Sequence, residues 1–270
     1  GHVRLGLSNQ LRTVDAGFAL IAGVPELKNK AIIIGESDPD GCAACQEPRL
    51  GYRNTTMFSS YTAAVFARKH VLADRRGVNL EGALTWSFEF EDQPFFAGQR
   101  TVSTAGIDLP VLNVFRMFSK MGGQRLSTTS TGEVPLDAMM RAGVRGQPDV
   151  AALTGLEAKK LSVMVWHYHD DDVAGPEAAV ELVVSHLPIG AGQARLTHYR
   201  IDETHSNSFT EWRKFGAPTA PNRAQYVQME KAGKLAQFAE PADVRIENGS
   251  ATLKFALPRQ AVSLLVLEWQ

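Results

Sequence analysis

Only two cysteines occur in 270 residues, Cys42 and Cys45, in a CxxC arrangement. A structural zinc site built on such a pair needs a second pair of ligands, and the histidines near it lack ligand spacing. A redox CxxC normally opens a helix in a thioredoxin-like βαβ unit, whereas this one falls in a long loop. Two loop thiols that pack, or that bridge locally, is the reading adopted. Redox or metal chemistry at the pair is the lesser alternative, and two cysteines identify no compartment. A dominant charge sign is lacking too: 28 Lys and Arg stand against 29 Asp and Glu, a net charge of -1. Nothing therefore favours nucleic acid or an anionic membrane as a partner. No apolar run is long enough to span a bilayer. No basic-then-apolar signal peptide is expected at the start. An initiator Met is missing as well. The chain opens Gly1-His2-Val3 and enters a helical pattern almost at once, which predicts a processed, trimmed or partial chain and leaves localisation open between cytoplasm and periplasm. No internal repeat and no low-complexity tract is found.

What is present is a globular composition, 44% hydrophobic and 21% charged, with room for one large domain or two ordinary ones. Leu11, Val14, Phe18 and Ile21 recur at helical steps and predict a helix over 8–22, stopped by Gly23 and Pro25. Ala31–Gly35 reads as a fully buried strand. A loop follows over 36–53. Asn54 is the expected N-cap of a second helix over 55–76, and Gly77 fits its C-terminal stop. A strand is expected at 82–88 and a third helix at 111–121, introduced by Pro110. This alternation implies a parallel sheet.

The texture changes after Gly123. Strands are expected at 161–169, 178–187, 194–201, 244–247, 252–257 and 262–269. Leu253, Phe255 and Leu257 alternate with polar neighbours. Asn248-Gly249 is a hairpin signal. The stretch 210–235 reads as an insertion with helical character near its end. Two units follow: a partial α/β layer over 1–122 and an antiparallel β-sandwich over 123–270. The first is incomplete energetically. Two parallel strands close no barrel, since eight strand–helix pairs and about 250 residues are needed. Strands as apolar as Ile32–Ile34 leave an uncovered edge unless more sheet lies beside them.

The segment Ala31–Cys45, AIIIGESDPDGCAAC, carries the functional signal. A buried strand runs into Gly35-Glu36 and then into polar turn residues. A carboxylate fixed at the C-terminal end of a strand is a common way for a sugar-cleaving barrel to hold its nucleophile. Such chemistry needs two carboxylates, and the chain offers one convincing candidate.

The residues 35–42 (GESDPDGC), 50–54 (LGYRN), 82–92 (GALTWSFEFED), 113–117 (NVFRM) and 257–262 (LPRQAV) resemble bacterial glycoside hydrolase family 39, the β-xylosidase-like enzymes. His205-Ser206-Asn207 with Trp212, Gly216, Pro218 and Pro221 continues the match over nearly the whole chain. The resemblance implies a (β/α)₈ TIM barrel followed by an antiparallel β-sandwich, of which this chain holds about strands 7 and 8 with their helices, plus the sandwich. It implies a retaining glycosidase in which Glu36 is the nucleophile. No segment matches the Asn-Glu motif of the family's acid/base. The implied function is thus a glycosidase fragment, inactive alone, awaiting the missing N-terminal barrel half. The substrate class implied is a xylo-oligosaccharide or aryl xyloside, with no cofactor and no metal; an oligomer is left open.

Each candidate has a plainer reading. Glu36 is otherwise a barrel-mouth Glu in an ion pair. Trp86, read as a stacking platform for a sugar ring, is otherwise a core tryptophan. Glu91, read as an acceptor for ring hydroxyls, with Asp92 beside it, is otherwise part of a solvated acidic loop. His167, His169 and the aspartates Asp170–Asp172 resemble a metal cluster, but a solvated turn is the reading adopted. His205 and Asn207 read as loop anchors. The rival function is a non-catalytic carbohydrate-binding or scaffolding β-sandwich protein.

Overall fold

The computed structural model describes residues 3–46 and 48–270. Gly1, His2 and Glu47, which fall inside the expected first unit, lie outside the described residues. Helix α1 (Leu7–Ala22) buries Leu7, Leu11 and Phe18 on one face. Helix α2 (Thr56–Arg76) is capped by Thr55, whose hydroxyl accepts the Met57 N–H at 3.2 Å. Asn54, the expected cap, instead ends a 3₁₀ helix (Pro48–Asn54) and donates to the Phe96 carbonyl. Gly77 stops α2 at φ 62°, a left-handed conformation that suits glycine.

Strands β1 (Ala31–Ile34) and β2 (Asn79–Ala83) pair in parallel and form a sheet of their own. The expected strand over 82–88 is corrected here. The ladder ends where β1 runs out of residues, after Leu84 donates to the Ile34 carbonyl. The expected full burial of β1 is corrected as well. Its residues alternate exposed and half-buried, and Ile33 is 62% exposed, because no described layer covers the outer side of the pair. A short hairpin, β3 (Ser103–Thr104) and β4 (Ile107–Asp108), leads into α3 (Pro110–Phe118).

The rest of the chain builds one large antiparallel sheet. Its path runs β5 (Gln124–Leu126), β6 (Asp149–Glu157), β7 (Lys160–Tyr168), β13 (Val262–Glu268), β9 (Gly192–Ile201) and β10 (Ala236–Gln237), with β11 (Ala242–Ile246) also on β9. Strands β8 (Ala178–Val184) and β12 (Ala251–Leu257) pair separately. The Asn248-Gly249 turn forms as expected, both residues at positive φ, with a single bridge between Glu247 and Ser250. The strands it joins then part, β11 to the large sheet and β12 to the small one.

The large sheet is covered on both faces, and period-two alternation decides which side chain goes where. Met164, Trp166 and Tyr168 of β7 pack toward the helices, while Leu161, Val163 and Val165 pack toward β8 and β12. The helical layer is pinned by Asp149, which is fully buried. It accepts from Arg68 of α2, the Trp166 indole N–H and the Val134 N–H. Helix α4 (Leu136–Ala142) lies between β5 and β6 in sequence. The expected insertion resolves into α5 (Ser208–Lys214) and α6 (Arg223–Gly233).

The solvated-turn reading of His167–Asp172 is also corrected, because His167, His169, Asp170 and Asp171 are all buried. They bolt the start of the chain to β7. Leu5 N–H donates to the Asp170 carbonyl, Val3 N–H to the Asp172 carboxylate, and Arg4 pairs with Asp171. Among the described residues no group of three or more His, Cys, Asp or Glu is arranged to hold a metal ion. No helix among them is long and apolar enough to cross a membrane.

Candidate functional site

The parallel pairing of β1 and β2 puts their C-terminal ends at one edge, and the chain after each strand meets there. Glu36 follows β1 by two residues. Its carboxylate is 48% exposed and ion-paired with Arg100, whose guanidinium is almost completely buried. The plainer expectation of an ion pair is therefore met, without removing Glu36 from solvent.

Arg100 sits among three acids from one loop. Besides Glu36 it donates to the Asp40 carbonyl, and its Nε lies 3.6 Å from the Asp38 carboxylate. Asp38 accepts from the Thr85 hydroxyl and, at 3.1 Å, from the Trp86 N–H. Burial pushes the Asp38 pKa up, and the bonds from Thr85 and Trp86 with the Arg100 charge offset only part of that. Burial acts on Asp40 in the same sense, but the Tyr52 hydroxyl and the Arg53 guanidinium outweigh it and hold its pKa below the usual value.

Asp38 thus ties the Glu36 loop to the Trp86 loop. Trp86 lies three residues beyond the end of β2, half-buried, its ring 5.0 Å from that of Phe88. Its indole N–H is buried without a hydrogen-bond partner among the described residues. Glu91 is not brought to this cluster. It lies in an exposed turn and lines a separate cavity of about 330 Å³ with Asn54, Glu89, Phe96 and Gln99. His205 and Asn207 stay with the large sheet: His205 bonds Asp202, and Asn207 caps α5.

The loop carrying Asp38 and Asp40 is held from below. Arg53, fully buried, donates to the Asp40 carboxylate and to the carbonyls of Cys42, Ala43, Cys45 and Gly98. Cys42 and Cys45 are disulfide-bonded, so the local-bridge alternative is the one realised. Sequence reasoning missed Arg53, Asp38 and Arg100. A lone Arg in a loop has no periodicity to mark it. The available signal was Glu36, Asp38 and Asp40 within five residues, a charge density that demands buried cations nearby.

A family model described as glycosyl hydrolases family 39 matches residues 20–246. The chain belongs to that family. Members of family 39 are glycosidases. Solved structures agree with the assignment in fold. One is a family 39 enzyme from Xanthomonas axonopodis pv. citri, with a TM-score of 0.70 and 16% identity over 96% of this chain and 48% of the other. Another is a bacterial orthologue of human α-L-iduronidase, at 0.75 and 18%, over 96% and 45%. A third is a monomeric β-xylosidase from Caulobacter crescentus CB15, at 0.72 and 14%, over 97% and 50%. This family 39 chain spans about half the length of each. No curated protein matches it.

Proposed function

We propose that this chain is the back part of a retaining β-xylosidase-like glycosidase, with residues 1–122 as the end of a (β/α)₈ barrel and 123–270 as its accessory β-sandwich. β1 and β2 are then barrel strands seven and eight. The observation that carries the reading is the bare parallel pair. A strand of sequence AIII, with Ile33 62% exposed, stands beside a half-exposed Glu36. Leaving one such side chain in water forgoes about 1.5–3 kcal/mol, so this face was shaped for burial against further sheet. Leu84 and Phe88, exposed past the end of β2, extend the same apolar edge.

Glu36 is the nucleophile. Held beside Arg100, it attacks the anomeric carbon, and the leaving oxygen takes a proton from a second carboxyl group. In retaining enzymes that second group stands about 5–5.5 Å away. It belongs to the absent six strands, so this chain alone does not turn over substrate. Trp86 offers its half-buried ring to the sugar, and Glu91, from the separate cavity that it lines, accepts from hydroxyls of a sugar unit farther along the substrate. The substrate is a xylo-oligosaccharide or an aryl xyloside.

A mechanism-based fluoro-xyloside tests the assignment. In the complete enzyme the label is expected on Glu36, found by peptide mass spectrometry, while the isolated chain labels poorly. Covalent label on any other carboxylate would refute it.

A further inference from the structure

The disulfide stands where a redox change would be felt by the Glu36 cluster. Cys42 is exposed and Cys45 half-buried, and both line a cavity of about 420 Å³ with Arg4, Pro39, Leu50 and Tyr52. The loop that carries the bridge supports Arg100. Ala43 accepts the Arg100 N–H at 2.9 Å, and the Asp40 carbonyl accepts from its guanidinium. Three carbonyls of this loop, those of Cys42, Ala43 and Cys45, turn onto Arg53. The bridge is therefore reachable from solvent and coupled to buried charge.

We propose that Cys42–Cys45 is a reversible thiol–disulfide exchange site: a dithiol reductant entering by this cavity opens a strap that holds Arg100, and through it Glu36, in position. The first thiolate of the reductant attacks Sγ of Cys42, the more exposed of the two residues. A mixed disulfide forms, the Cys42–Cys45 bond breaks, and its electron pair leaves on Cys45, which takes a proton from water. The second thiolate of the reductant then attacks its own sulfur in the mixed disulfide and releases Cys42. The reductant ends as a disulfide, oxidised by two electrons, and the protein gains two thiols. Once the short loop is open, only hydrogen bonds hold the carbonyls against Arg53 and Arg100. The bearing on catalysis rests on the role proposed for Glu36; the redox response of the loop does not.

The test uses this chain as it is, oxidised, treated with a dithiol reductant under native conditions, and as the Cys42→Ser/Cys45→Ser double variant. Thiol titration is expected to count none and then two reactive thiols. Hydrogen exchange read by mass spectrometry is expected to rise about tenfold at the Arg100 amide in the reduced chain and in the variant. Protection across Lys160–Tyr168, in the middle of the large sheet, is expected to stay unchanged. Thiols that appear only in denaturant would overturn the proposal, as would unchanged exchange at Arg100. A parallel loss of protection at Lys160–Tyr168 would overturn it too, by making the bridge a bolt for the whole fold. Fluoro-xyloside labelling is not read in this experiment, so either idea can fail without the other.

Discussion

Lys69 is the residue that fits its surroundings least. It lies in α2, buried, with its ammonium 4.5 Å from the centre of the Phe66 ring and no hydrogen-bond partner among the described residues. Burial pushes its pKa down to about 7, with the negative Asp38 offsetting a small part. In the unfolded chain the same group holds its proton up to about 10.4. Below pH 7 both states are protonated, and the fold carries the full cost of a buried charge. Between the two values only the unfolded chain keeps the proton, so unfolding takes one up and stability rises with pH. The thermal midpoint is therefore expected to climb from pH 7 toward pH 9. Lys69→Met should flatten that climb and stabilise the chain at pH 7 by on the order of 1–3 kcal/mol. A Met variant with the slope intact would place the titration elsewhere.

At the scale of the element, the strand β1 combines a buried strand's sequence with an exposed position. Its inner residues Ile32 and Ile34 join the core, while Ile33 faces outward. Ile33→Lys is expected to change the stability of this chain by less than about 0.5 kcal/mol, as for any exposed site. Denaturant melts of the two proteins measure this, and a large loss would mean that the outer face is already packed. The same strand shows what sequence could deliver. β1, α2 and β12 were legible because apolar spacing and turn residues agreed, as with Leu253, Phe255 and Leu257 over the Asn248-Gly249 turn. β2 was misplaced because Trp86 and Phe88 alternate like a strand, yet they lie past the last residue that β1 can pair. β6 was missed altogether. Ala151, Ala152 and Gly155 blur its alternation, and the strand exists because β7 lies alongside. The place of Glu36 just past a strand end was legible from the run of isoleucines before it. Arg100, 64 residues away, was not, since only the closed loop brings it there.

At the scale of the molecule, the helices over the large sheet have one covered flank and one bare one. The side toward β7 is pinned by Asp149 and filled with Trp166 and Tyr168. The β1 and β2 pair shows Ile33, and past its end Leu84 and Phe88, to solvent. On the function proposed above, a second polypeptide carrying the first six strand–helix pairs would cover that flank and bring a second carboxyl group to Glu36. Because such a partner binds the folded form alone, mixing at about a hundredfold its dissociation constant adds roughly 2.7 kcal/mol. For a chain of this size that is a rise of about 5–10 °C in thermal midpoint. The Ile33→Lys variant, neutral by itself, is expected to lose most of the gain, because it places a charge inside the new sheet. Equal midpoints with and without the partner half would mean that this flank is meant for water, and the barrel reading would fall with it.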